Sequence, residues 1–211
     1  MAFPSFVYNQ LITKLPYPTE DFGGQTVIVT GANVGLGLEA ARHFVRLSAE
    51  KVILGVRTIS KGEVARKSIE ASTSRLNVLE VWQLDLSKYE SVKQFVKKAE
   101  GLRRLDAVVE NAGISTTEYE VFEDNESTIT VNVVSTMLLA LLILPKLRET
   151  AMNYHVIPRL TIVSSAVHTL TKFPERKENN IFNTLNGKDT ANMPDRYTNS
   201  TYRANQIIAR K

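Results

Sequence analysis

Cysteine is missing altogether from these 211 residues, and its absence excludes a disulfide framework, a thiolate zinc site and a cysteine nucleophile at once. Histidine is scarce: His43, His155 and His168 stand at no spacing that would bring two of them onto one ion, so no metal site is expected. Neither sign of charge dominates. With 26 Lys and Arg against 22 Asp and Glu, the net +4 is too small and too dispersed for a nucleic-acid surface, although it favours an anionic small ligand. Long apolar runs are missing as well: Met137 to Leu144 is the longest, far short of the roughly 18 to 20 residues of a spanning helix, so no transmembrane segment is expected. What is present is a globular composition, 43% hydrophobic and 23% charged, sufficient to bury the core of one large domain.

No basic residue precedes Lys14, and Pro4, Pro16 and Pro18 interrupt the early apolar residues, which argues against a secretory signal and for a cytoplasmic protein. Val7, Tyr8, Leu11, Ile12 and Leu15 recur at helical spacing after Pro4. This predicts a short amphipathic helix within an N-terminal extension, residues 1–24, that packs on the domain or covers a pocket rim; peripheral membrane contact is the other reading.

From Gln25 onward, short β-branched runs alternate with longer segments of helical period, the pattern of a doubly wound parallel α/β sheet covered on both faces. Strands are predicted at Thr26 to Thr30, Val52 to Val56, Val78 to Gln83, Leu105 to Glu110 and Leu160 to Ser164. Helices are predicted at Leu36 to Ser48, Lys61 to Ala71, Ser87 to Lys98 and Glu126 to Leu147. The last of these is apolar on too many faces for a surface helix, so it should be buried against the sheet, against a second copy in a homodimer, or both. Residues 25–211 form the expected domain, with polar, proline-containing residues 168–195 as a long surface insertion bordering a ligand site.

The segment Val27-Ile-Val-Thr-Gly31-Ala-Asn33-Val-Gly35-Leu36-Gly37 runs from a strand into a helix, with three of the ten glycines inside seven residues. In that context glycines let the chain turn tightly and bring main-chain N–H groups to a pyrophosphate at the helix N-terminus, so a dinucleotide is expected. Its type is read at the end of the second strand. An acid there would bind the hydroxyls of an NAD ribose. Residues 52–56 contain none; Arg57 and Lys61 follow instead, two cations where a 2′-phosphate would sit, so NADP(H) is favoured.

Six motifs in order resemble the short-chain dehydrogenase/reductase family. They are the Thr30-Gly31-x-x-x-Gly35-x-Gly37 loop; Asp85-Leu86 after the third strand; Glu110-Asn111-Ala112-Gly113 after the fourth; Asn132 in the long helix; Ile162-Val163-Ser164-Ser165 ending the fifth; and Tyr197-Thr-Asn-Ser200. The fourth-strand turn is similar to the family's Asn-Asn-Ala-Gly with its first Asn replaced by Glu110. The resemblance implies that Asp85 and Leu86 hold the adenine side, that Asn111, Ala112 and Gly113 line the cofactor, and that the catalytic set is Ser165, Tyr197 and Asn132. Tyr197 would supply a proton, Ser165 would orient the substrate oxygen, and Asn132 would order a backbone kink and a water in a proton relay. The implied activity is hydride exchange with a carbonyl or alcohol group of a small, lipophilic substrate. The aromatic-rich N-terminus and the 168–195 insertion are similar to retinol-dehydrogenase-like branches and to those of fungal secondary metabolism.

One position departs from the family's Tyr-x-x-x-Lys element: residue 201 is Thr. That Lys lowers the tyrosine pKa in the family, and the neighbouring Arg203 carries a permanently charged fork that is not equivalent to an ammonium. Three readings therefore stand side by side on the sequence. They are an NADP(H)-dependent oxidoreductase, a catalytically deficient NADP-binding or interaction protein, and a product truncated ahead of the family's last strands and substrate lid.

Overall fold

The computed structural model describes residue 12, residues 16–164 and 173–189, and residue 193. The predicted N-terminal helix lies outside these residues except for Ile12, which is exposed; Ser165, Tyr197, Thr201 and Arg203 also lie outside them.

Five parallel strands make the sheet: β1 (Thr26–Thr30), β2 (Lys51–Val56), β3 (Leu79–Gln83), β4 (Ala107–Glu110) and a last strand, Arg159–Ile162. Between the first four run α1 (Gly35–Arg46), α2 (Ile59–Thr73) and α3 (Tyr89–Glu100). β4 is followed by a small antiparallel hairpin, β5 (Val121–Phe122) with β6 (Asn125–Glu126), then by a 28-residue helix, α4 (Ser127–Tyr154), so the last strand of the sheet is β7. The order across the sheet is β3-β2-β1-β4-β7. The chain thus winds outward from β1 to β3, then returns to place β4 on the other side of β1. A strand order that reverses in this way leaves a crevice beyond the strands' carboxyl ends, at the β1/β4 junction.

The strands read as continuous apolar runs because both faces are covered. On one face Ile28, Ile53 and Val108 pack with Val92 and Phe95 of α3 and Leu139 and Ile143 of α4. On the other, Val27, Val29, Val52 and Leu54 pack with Ala41 and Val45 of α1 and Ala65 and Ile69 of α2. Successive residues of one strand serve opposite cores, as the two-residue period of a strand requires. Full burial of each such Ile, Val or Leu contributes on the order of 1.5–3 kcal/mol.

The predicted boundaries shift by two residues or fewer, as at β4, which begins at Ala107 rather than Leu105, except at the C-terminal end of the long helix. The long helix was expected to end at Leu147 but continues to Tyr154, through Pro145. A proline inside a helix removes one N–H and crowds the carbonyl four residues earlier. Here that carbonyl belongs to Leu141, which is exposed, so water can satisfy it. The predicted last strand, Leu160 to Ser164, begins at Arg159 and ends at Ile162.

By length and composition α4 could cross a membrane, but two-thirds of its most apolar window is buried inside the fold, as for a core helix. Leu139, Ala140, Ile143 and Leu147 face inward, while Leu141 and Leu142 are exposed.

Candidate functional site

At the β1/β4 junction one hydroxyl ties two loops together. Thr30 Oγ1, at the end of β1, accepts the main-chain N–H groups of Asn111 and Ala112, each at 3.0 Å, directly after β4. The Asn111 amide returns the contact by donating Nδ2 to the Thr30 carbonyl at 3.1 Å. This close approach fixes the neighbouring glycine. Gly31 has φ +65°, and a Cβ there would lie 2.9 Å from Ala112 Cα. Gly37, in the first turn of α1, is held by crowding of the same kind, since its Cβ would lie 2.5 Å from the Gly31 carbonyl oxygen. Gly35 differs. Its φ is +57°, yet a Cβ would meet nothing within 4 Å.

α1 therefore starts beside open space, with no capping side chain at Val34 and no acid in its first turn. Uncapped N–H groups and the positive end of a helix dipole suit a phosphate, so the residues present fit the pyrophosphate of a dinucleotide. The crevice beyond them has a volume of about 490 Å³. Gly31 and Asn33 after β1, Gly55 and Arg57 at the end of β2, Asp85 and Leu86 after β3, and Asn111, Ala112 and Gly113 after β4 all line it.

Asp85 is held by its own turn. Its Oδ1 accepts the Ser87 N–H at 3.0 Å and the Ser87 hydroxyl at 2.7 Å, while its main-chain N–H donates to Ser91 Oγ at 3.0 Å. Arg57 is exposed at the crevice wall, whereas Lys61, in the first turn of α2, is exposed but does not line the crevice.

α4 widens between Thr130 and Ser135 into a π-helical segment that contains Asn132. Helices frequently widen in this way at functional sites. The Asn132 side chain leaves its own helix and pairs with the loop after β4: Nδ2 donates to the Ile114 carbonyl and Oδ1 accepts the Ile114 N–H, both at 2.8 Å. The start of α4 is fixed independently, because the buried Glu126 carboxylate accepts the N–H groups of Thr128 and Ile129.

Beside Asn132 lies a group whose surroundings differ from those of every other acid of the site. Glu110, the last residue of β4, is 3% exposed, and neither carboxyl oxygen has a hydrogen-bond partner among the described residues. Burial without a compensating partner disfavours the charged form, and the Glu110 carboxyl is pushed up to about 8. It borders a cavity of about 160 Å³ that shares Asn111, Ala112 and Gly113 with the larger crevice and is closed by Asn132, Thr136 and Ile162.

The polar 168–195 segment contributes packing that its composition conceals. Phe173 and Leu185 are buried against Ile129 and Val133 of α4, and Pro174–Lys177 and Ile181–Asn186 form two short helical turns. Asn186 ties the segment down: its carbonyl accepts the Tyr119 hydroxyl at 2.6 Å, and its Nδ2 donates to Asn125 Oδ1 at 2.6 Å.

The structure thus brings together Gly31, Asn33, Arg57, Asp85, Leu86, Asn111, Ala112 and Gly113 around one crevice, with Leu36 and Asn132 on the adjoining cavity. Gly35 and Gly37 shape the loop beneath, and Lys61 stands apart. Sequence reasoning assigned no structural work to Thr30 beyond its place in the glycine motif. It also missed Ile114 and the burial of Glu110. The signal for Glu110 was the replacement of the amide in the Asn-Asn-Ala-Gly turn.

Comparison with known proteins agrees with this geometry. Residues 25–157 match the family description "short chain dehydrogenase". The short chain dehydrogenase/reductase dmxR8 of Cryptosporiopsis sp. is 50% identical over 190 residues, covering 88% of this chain and 59% of its own length. The short chain dehydrogenase atnD of Emericella nidulans is 49% identical over 201 residues, covering 94% and 64%. Among solved structures, an uncharacterized protein from Mycobacterium paratuberculosis superposes with a TM-score of 0.68 at 29% identity, covering 90% of this chain and 61% of that one. A structure described as a short chain dehydrogenase from Escherichia coli CFT073 complexed with NADPH gives 0.59 at 28% identity, covering 74% and 65%. The chain therefore spans about three-fifths of the length of these two fungal relatives.

Proposed function

The chain belongs to the short chain dehydrogenase family, and from that premise we propose that it binds NADP(H) in the β1/β4 crevice and serves oxidoreduction of a carbonyl or alcohol group. The observation that carries the reading is the crevice itself. An uncapped helix N-terminus borders it through Asn33 and Val34, Arg57 stands where β2 ends, and no acid is present at that strand end. Arg57 would make charge-assisted hydrogen bonds to a 2′-phosphate, and the Asp85 turn would hold the adenine side.

Bound in this way, the nicotinamide supplies or accepts the hydride. The chain's own part is positioning. Thr30 and Asn111 hold the two loops in register, and Asn132 fixes the loop after β4 through Ile114. In the same proposal Ser165 orients the substrate oxygen and the Tyr197 hydroxyl provides its proton. Thr201 in place of a lysine leaves that tyrosine without the ammonium its family uses. The substrate is small and lipophilic, of the kind handled in fungal secondary metabolism, and the setting is cytoplasmic. The fungal short chain dehydrogenases that the chain resembles support the branch to which this reading assigns it. A second copy would pack on the exposed Leu141 and Leu142 of α4 to form a homodimer.

Fluorescence titration of the purified protein with NADPH and with NADH tests the cofactor. NADPH should bind at least about tenfold tighter, corresponding to one charge-assisted contact. Equal affinities would remove the preference for NADP(H), and binding of neither would overturn the reading. A panel of lipophilic ketones with NADPH, repeated with Tyr197→Phe, then tests turnover.

A further inference from the structure

Glu110 borders the smaller cavity, and the turn that follows it lines both that cavity and the crevice. In a sheet of this winding, the half of a dinucleotide beyond the pyrophosphate on the β2 and β3 side is the adenosine, so the nicotinamide lies on the β4 and β7 side. There the wall between crevice and cavity is the turn Asn111-Ala112-Gly113, with Glu110 immediately before it. The carboxyl is buried, has no hydrogen-bond partner among the described residues, and has a polar neighbour, Asn132, across the cavity.

No charged or titratable group faces it from the described elements packed around it. α1 contributes Leu36 to the cavity, α4 contributes Asn132 and Thr136, and β7 with the residue after it contributes Ile162 and Val163. Among the described residues, burial alone therefore governs the carboxyl's ionisation until another charge arrives. A nicotinamide ring brings such a charge in only one of its two redox states, because the oxidised ring is cationic and the reduced ring is neutral. A cation nearby favours the ionised form of an acid.

Resting on the reading that NADP(H) fills the crevice, we propose that Glu110 is a proton store linked to the redox state of the cofactor. It keeps its proton when NADPH is bound and releases it when NADP+ is bound. The balance is simple: the carboxyl O–H bond breaks, one proton passes to solvent, and the carboxylate stays behind opposite the cationic ring. NADP+ binding is then a proton-releasing reaction and NADPH binding is not. The residue acts on the reaction through the cofactor and is a positioning residue.

Titrations with NADP+ and NADPH between pH 6.5 and 8, for the full chain and for Glu110→Gln, test this. Protonation of the 2′-phosphate is common to both nucleotides and cancels in the ratio of their affinities. One linked proton makes the ratio of the NADP+ to the NADPH dissociation constant fall by about tenfold across that range in the wild type, and leaves it flat in the variant. A pH indicator in weak buffer should record proton release into solution on adding NADP+ to the wild type in excess of that with NADPH, and the excess should vanish in Glu110→Gln. In the wild type, the infrared band of a protonated carboxyl should also disappear when NADP+ replaces NADPH, which needs no variant. A flat ratio in the wild type, or proton release unchanged in the variant, overturns the proposal and leaves the cofactor reading standing. Binding of neither nucleotide overturns both.

Discussion

Asn132 and Ile114, eighteen residues apart, close a ring of two hydrogen bonds, side-chain amide to main-chain N–H and C=O, each at 2.8 Å. The pairing joins the widened turn of the long helix to the loop that walls the crevice. Asn132→Ala leaves both main-chain groups of Ile114 without this partner and should lower stability by about 2 kcal/mol. Asn132→Asp keeps the acceptor and loses the donor, so an intermediate melting temperature is expected. NADPH affinity should fall in the same order, because the loop bearing Gly113 and Ile114 loses its anchor.

Gly31 and Gly35 both have positive φ but differ in their surroundings, and their alanine variants should separate stability from binding. Gly31→Ala meets the Ala112 backbone, so it should cost more than about 2 kcal/mol and abolish nucleotide binding with it. Gly35→Ala meets open space and bears only the left-handed backbone, about 1 kcal/mol, while its methyl group enters the phosphate cradle. A thermal melt and a titration on each variant should give loss of both for the first and mainly of binding for the second.

Arg57 lines the crevice and Lys61 does not. Arg57→Ala should weaken NADPH by about tenfold and leave NADH unchanged, the difference reporting a lost charge-assisted contact. Lys61→Ala should change neither by more than about twofold, the scale of an exposed charge.

Glu110 gives stability a pH dependence whose sign follows from burial. The unfolded carboxyl ionises near its ordinary value of 4.5, whereas the folded one holds its proton up to about 8. Below the lower value both states are protonated and the group contributes nothing. Between the two, the unfolded state sheds its proton first, so stability falls as pH rises, by on the order of a few kcal/mol in full. Above the higher value the loss is complete and constant. Glu110→Gln carries no such liability. Its melting temperature should match the wild type near pH 4 and exceed it increasingly toward pH 8, and parallel curves would refute the burial of an acid at this position.

The parts of the fold that were legible from sequence are those with one dominant local signal. β1 and α1 were placed within a residue or two because an apolar run meets a glycine cluster, and β2 because its apolar run ends at Arg57. The hairpin β5–β6 was invisible, since strands of two residues each carry no period. The continuation of α4 past Pro145 was hidden by a residue that normally stops helices and is tolerated here on an exposed turn. Phe173 and Leu185 were lost in a polar segment because their burial depends on Ile129 and Val133, forty or more residues earlier. The crevice residues were legible as a set, because the resemblance orders them along the chain. What each does was not. Thr30 reads as one position of the glycine loop until Asn111 is seen beside it, and Glu110 reads as a replaced Asn of the turn until its cavity is seen to be bordered by β7 and α4.

The bond from Asn111 to Thr30 spans 81 residues, and that from Thr26 to Asp106 spans 80. In a sheet with only parallel pairings, no two neighbouring strands can zip together through a tight turn. Contacts this distant must close large loops before they stabilise anything, which makes folding slow relative to a helical bundle of equal size. During synthesis the first half of the crevice emerges early but has nothing to bind against. The crevice comes into being only when β4 and its turn have found β1, so the site is no older than the pairing that joins the two halves of the sheet, and β7 is added to a site already formed.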